Sequence, residues 1–178
     1  MIFHKTMLEG AYIIEIQKHE DERGFFSRSW CKKEYDDHGL NSSLVQENIG
    51  FSIKKGTLRG LHYQISPYEE VKVVRCTKGA IYDVIVDLRP DSKTYKKWLS
   101  IELNGDNRSI LYVPEGFAQG YITLSNHTEM CYHTSQFYAP NFARGIRYDD
   151  SSFAIDWPIE VAVISEADKN WPNYKEKK

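Results

Sequence analysis

The chain of 178 residues has little of what marks several common protein classes. Its three cysteines, Cys31, Cys76 and Cys131, are odd in number and far apart. They form no zinc-type pair and no disulfide framework, so reduced thiols are expected. No apolar run approaches the ~18 residues of a membrane span, and residues 1–10 carry no signal-peptide pattern. The reading is a protein without a membrane partner, in the cytoplasm. Charge of one sign is missing as well: 23 Lys and Arg stand against 25 Asp and Glu, a net −2. With no basic face, nucleic acid is not an expected partner. Repeats, low-complexity tracts and linkers are absent, which fits one domain over residues 1–178. Helical pattern is scarce: two turns at 31–38, stopped by Gly39, and one turn at 166–169.

What remains is a succession of short strands. Candidates cover residues 10–16, 24–30, 44–52, 57–64, 71–77, 80–88, 98–103, 109–113, 120–124 and 129–137. Lys78-Gly79, Asn104-Gly105 and Ser125-Asn126 punctuate them. Residues 71–76 and 80–87 read as the two arms of a hairpin. Many strands with almost no helix predict an all-β protein, a β-sandwich or jelly roll. Aromatics are plentiful, with 12 Tyr and 4 Trp. They suit sugar and base binding, and equally suit subunit interfaces.

The most informative stretch is Leu58-Arg59-Gly60-Leu61-His62-Tyr63-Gln64. A guanidinium and an imidazole sit three residues apart inside a strand pattern. An imidazole titrates near pH ~6.5 and can act as a general base without large tuning. Arginine is a preferred phosphate ligand. The pair suggests an enzyme acting on a phosphorylated or nucleotide-linked small molecule, although His62 also fits a packed histidine satisfied by its neighbours. A metal site is not expected, because Gln64 occupies the position where an HxH pair would need its second imidazole.

Other residues admit two readings each. Tyr132, in Met130-Cys131-Tyr132-His133-Thr134, is a general acid facing a pocket or a cross-strand tyrosine. Lys72, Asp83 and Arg59 lie on strands that a sheet can bring together. There Lys72 could stabilise an enolate oxygen, or the three could form a surface ion-pair network. Asp168 could fix the tautomer of an imidazole, or belong to a short helix capped by Ser165. The segment Asp21-Glu22-Arg23-Gly24-Phe25-Phe26 suits a diphosphate and a flat base, or an edge strand.

Taken together, these stretches resemble the epimerases of nucleotide-linked 4-keto-6-deoxy sugars, typified by the dTDP-4-dehydrorhamnose 3,5-epimerase family. The resemblance runs through Asp21 to Phe26, Gln46-Glu47-Asn48, Gly56 to Gln64, Val71-Lys72, Gly79 with Asp83-Val84, Asp87-Leu88-Arg89 and the segment from Ser92 to Trp98. It continues through Val113-Pro114-Glu115-Gly116-Phe117-Ala118, Tyr132, Tyr138-Ala139-Pro140, Asp149-Asp150, Asp156-Trp157-Pro158 and Ile164-Ser165 to Asp168. It implies a cupin-type jelly roll acting on a nucleotide-diphospho-sugar, with no metal or organic cofactor. It also implies a homodimer that exchanges an amino-terminal arm of about residues 1–30. By the same resemblance His62 is the base, Asp168 its dyad partner, Lys72 the enolate-stabilising group and Tyr132 the acid. Arg59, and Arg23 of the neighbouring subunit, would hold the diphosphate. Gln46, Asn48, Phe26 and Tyr138 would line the nucleotide site, and Asp83 and Gln119 complete the substrate-binding set.

The chain departs from the family pattern at two places. Gln119 stands where the family has histidine, which removes a titrating group and a good metal ligand. Arg28 stands where the family has glutamate. If that position faces the base edge, a donor replaces an acceptor, which suits cytosine better than thymine. A CDP-linked 4-keto-deoxyhexose is then an expected substrate beside the dTDP-linked one. With Arg28 on phosphate or in solvent, the dTDP sugar stands alone. Epimerisation at C5, with or without C3, is the expected reaction. A keto-sugar isomerase on the same scaffold and a non-catalytic sugar-nucleotide-binding cupin are the alternatives.

Overall fold

Segments rich in Val, Ile, Tyr and Phe form most of the strands of a computed structural model that describes residues 1–175. The last three residues of the domain expected over 1–178 lie outside that range. In chain order the elements are β1 (Ile2–Lys5), β2 (Tyr12–Glu15), β3 (His19–Asp21), β4 (Gly24–Phe26), α1 (Lys32–Asp37), β5 (Gln46–Ser52), β6 (Thr57–Gln64) and β7 (Lys72–Lys78). They continue as β8 (Ala80–Asp87), β9 (Trp98–Asn104), β10 (Ile110–Val113), β11 (Phe117–Thr123), β12 (Thr128–Thr134), β13 (Ala143–Gly145), β14 (Val163–Ile164) and α2 (Glu166–Lys169).

The first sheet runs β1-β2-β10-β7-β12-β5 and the second β13-β6-β11-β8-β9, with β14 added parallel to β6. β3 and β4 form a separate two-stranded ribbon. The two large sheets make the sandwich of a cupin-type jelly roll, the all-β architecture expected from the strand pattern. Between them, Val74, Leu111 and Met130 of the first sheet meet Ile81, Ile85, Leu103 and Phe117 of the second. Burying one such side chain fully is worth about 1.5–3 kcal/mol.

β8 carries an apolar run rather than an alternation because both its faces are covered. Ile81 and Ile85 face the other sheet, while Val84 and Val86 join Leu61, Ile146 and Phe153 beneath the carboxy-terminal segment. The outer face of the first sheet is covered in part by α1, whose Tyr35 packs with Ile14, Val73 and Ile110.

The hairpin expected from residues 71–76 and 80–87 does not form. β7 pairs with β10 and β12, β8 pairs with β9 and β11, and the chain changes sheets at Lys78-Gly79. A Cβ at Gly79, where φ is +76°, would lie 2.5 Å from Ser125 Oγ and 2.6 Å from Thr128 Oγ1. The glycine serves a crowded crossing rather than a hairpin turn. The strand expected at 120–124 begins earlier, at Phe117, and that at 24–30 shrinks to Gly24–Phe26.

Candidate active site

In a regular strand, residues three apart point to opposite faces. Arg59 and His62 of β6 nevertheless line one cavity. The alternation breaks between them at Gly60, where φ is +117°, and β11 shifts register opposite, between Gln119 and Tyr121. A Cβ at Gly60 would lie 2.5 Å from Gly120 Cα. Two facing glycines thus let the strands approach closely enough to turn the imidazole and the guanidinium the same way.

His62 Nε2 lies 2.5 Å from Asp168 Oδ1, and the Gly60 N–H donates to Asp168 Oδ2 at 3.3 Å. α2 delivers this carboxylate. Ser165 caps the helix by accepting the Asp168 N–H at 3.0 Å, so Asp168 sits in the capped turn with its side chain aimed at His62. The segment thus carries both the cap at Ser165 and a carboxylate in contact with His62. Burial pushes the Asp168 pKa up, but hydrogen bonds from His62, the Gly60 N–H and the Trp171 indole outweigh it and hold the carboxyl below its usual range.

Lys72 of β7 and Tyr132 of β12 enter from the facing sheet. Lys72 Nζ donates to the His62 carbonyl at 3.1 Å and pairs with Glu70 at 3.3 Å, and all three residues line the wider part of the cavity. Burial and the nearby Glu70 carboxylate raise the Tyr132 pKa against the pull of Arg59, so its phenol is a proton donor at neutral pH. Behind them, Gln119 Nε2 donates to both oxygens of Asp83, at 3.1 and 2.9 Å. Asp83 is fully buried, which pushes its carboxyl up to about 7 against Gln119 and Lys72. With its amide N–H held by Asp83, Gln119 offers a ligand its carbonyl oxygen.

The cavity comprises two overlapping volumes of about 450 and 690 Å³, both bordered by Arg59, His62, Lys72, Tyr132 and Asp168. Gln46, Asn48 and Tyr138 border the larger one. Gln46 Nε2 donates to Asn48 Oδ1 at 3.0 Å, and the Tyr138 N–H donates to Gln46 Oε1 at 3.3 Å, which ties the three together. Arg59 is anchored to the Phe51 carbonyl at 3.0 Å and to Ser52 Oγ at 3.3 Å.

Arg23, Phe26 and Arg28 do not border this cavity. Arg23 pairs with Asp21, Phe26 is 77% exposed, and Arg28 pairs with Glu34 at 2.9 Å. Glu70, Gln64 and Trp171 are among the lining residues that the sequence reading did not assign to the site. Gln64 Nε2 donates to Glu70 Oε2 at 2.9 Å, so the acid beside Lys72 is itself held in place. The nearness of Glu70 to Lys72, two residues apart in sequence, was the one available signal; Trp171 had none. Among the described residues no group of three or more His, Cys, Asp or Glu could hold a metal ion. No helix there is long and apolar enough to cross a membrane.

A family model described as dTDP-4-dehydrorhamnose 3,5-epimerase matches residues 5–176. A relative of that name from Methanothermobacter thermautotrophicus is 41% identical over 98% of this chain and 95% of its own. The crystal structure of the protein of that name from Elizabethkingia anophelis superimposes with a TM-score of 0.96 at 40% identity, covering 99% of this chain and 98% of the other. One from Bacillus anthracis, with TDP and PPi bound, superimposes at 0.94 with 39% identity over 97% and 99%.

Proposed function

The chain belongs to the dTDP-4-dehydrorhamnose 3,5-epimerase family, and from that premise we propose that it epimerises a dTDP-linked 4-keto-6-deoxy sugar at C5, C3 or both. Hydrogens on carbons flanking a ketone are weakly acidic, and their removal places charge on the ketone oxygen. Inversion then needs a base on one face, an acid on the other and positive charge beside that oxygen. The observation that carries the reading is that His62 and Tyr132 line one cavity from facing sheets, with Lys72 lining it too and donating to the His62 carbonyl.

With Asp168 ionised, His62 Nε2 carries the proton of the dyad and Nδ1 is left as the lone pair that removes the substrate proton. The C–H bond breaks, its electrons form the enolate, and the Lys72 ammonium stabilises the O4 charge. The Tyr132 phenol returns a proton to the same carbon from the other side and is reprotonated from solvent. The carbonyl ends where it began, which separates this course from a keto-sugar isomerase. A purely binding cupin would need neither the dyad nor the facing phenol. The test is deuterium uptake at C3 or C5 of the substrate in D2O: His62→Ala should abolish it, and unchanged uptake would favour another base.

Arg23 and Phe26 enter this scheme from a second copy. The β3–β4 ribbon holds them away from the cavity of their own chain, with the Phe26 ring in solvent. β5, at the edge of its sheet, presents Ile49 and Phe51 outward, with Ile53 just beyond. An apolar edge of this kind is suited to being covered. A homodimer with exchanged arms would cover it and bring the partner's arm to the diphosphate and the base. Arg28 has a partner in Glu34, which accounts for the residue without a cytosine contact. The dTDP sugar is therefore the favoured substrate over the CDP-linked one.

A further inference from the structure

We propose that Trp171 is a positioning residue for the base, its indole N–H locking the Asp168 carboxylate that carries His62. This rests on the reading of His62 as the base. Trp171 lies three residues beyond Asp168, just past α2, and its Nε1–H donates to Asp168 Oδ1 at 3.2 Å. That is the same oxygen that faces His62 Nε2. The indole also stands edge-on to the imidazole, with centroids 6.3 Å apart and planes at 70°.

The seat of the ring is Gly145, the residue paired with His62 in the β13–β6 ladder. A Cβ there would fall 2.3–2.4 Å from Cε2, Cδ2 and Nε1 of the indole, so only glycine leaves room for it. Backbone on one side and the dyad on the other fix the ring. Asp168 thereby receives three donors: His62 and Trp171 on Oδ1, and the Gly60 N–H on Oδ2. Two fixed donors, neither of which titrates, hold the carboxylate plane while the third, the imidazole, takes up and releases the substrate proton. A base that must stay aligned through protonation and deprotonation gains from an anchor that does not move with it.

Trp171→Phe keeps a ring on Gly145 and deletes the N–H. The expected result is a kcat lower by about 10-fold or more, the scale of one hydrogen bond to a charged group, with KM within about twofold. The acidic limb of the kcat/KM profile should move to higher pH, because a carboxylate short of one donor holds the dyad proton more tightly. In an Asp168→Asn background, where the charged acceptor is gone, the same substitution should change kcat by less than about twofold. An unaltered kcat and pH profile, or an equal loss in both backgrounds, would overturn the proposal and leave Trp171 a packing residue. A second readout keeps the test independent of how Trp171→Phe folds. In the otherwise native enzyme the Trp171 indole N–H proton resonance should shift upfield on Asp168→Asn, and an unmoved resonance would also overturn the proposal. Activity surviving His62→Ala would instead remove the underlying reading, which separates the two failures.

Discussion

Asp83 poses the sharpest question at the scale of single residues, because a fully buried carboxyl sits beside the chemistry without a cation in direct contact. Burial raises its folded pKa to about 7, against 3.8 for the ordinary group. Between those values the folded protein holds a proton that the unfolded chain releases. The contribution to stability is fully present below about 3.8 and is lost as pH rises through about 7. Asp83→Asn removes this linkage while keeping the shape. Its melting temperature relative to the parent should therefore rise between pH 5 and pH 8, measured by differential scanning fluorimetry. A constant gap across that range would contradict the burial argument. Asp168 has the opposite sign: its folded pKa is depressed, so its contribution is present above 3.8 and falls away only in acid. Residue types at this scale were partly legible. An imidazole, a lysine and a tyrosine on separate strands announced proton chemistry, but each fitted a structural role equally well until the resemblance gave them an order. Trp171 gave no such sign and Glu70 only its nearness to Lys72, since their roles exist through Gly145, Lys72 and Gln64 across the fold.

Paired glycines decide the geometry at the scale of elements. The strand over Thr57–Gln64 was read with its bounds intact, yet its alternation places Arg59 and His62 on opposite faces. The close contact of Gly60 with Gly120 resolves this, and it depends on β11, whose first residues, 117–119, did not read as strand. Gly60→Ala adds a Cβ 2.5 Å from Gly120 Cα at a φ of +117°. A loss of about 2–3 kcal/mol in urea unfolding is expected from the backbone conformation and the clash together. Turnover should fall more than tenfold as His62 leaves its place. Parental stability with parental turnover would show that the strand can keep its course without the glycine. The misread hairpin has a related cause: Lys78-Gly79 is a turn signal, and local sequence does not distinguish a turn within a sheet from one that crosses between sheets. What separates them is Ser125 and Thr128, more than forty residues away, closing around Gly79.

For the whole molecule, strand pattern and the shortage of helix were enough to reach the sandwich, because core formation averages over many side chains. The proposed assembly rests on residues the fold leaves outside: Arg23, Phe26 and the apolar edge of β5. If arms are exchanged, mixing Arg23→Ala protein with His62→Ala protein should restore activity after subunit exchange. In each mixed dimer one site then has both an intact base and an intact arm. Random reassortment predicts recovery toward one quarter of parental turnover per site, and none where the arm serves its own chain.

On the proposed reading this cavity removes a proton beside a ketone. Proton NMR in D2O, with dTDP- and CDP-linked 4-keto-6-deoxyhexose offered separately to the native enzyme, reads that step itself. Deuterium should enter C5 or C3 of the dTDP sugar, with inversion and with the carbonyl kept at C4. Exchange confined to the CDP sugar would reverse the nucleotide assignment, and exchange with neither, in protein that binds them, would contradict the account.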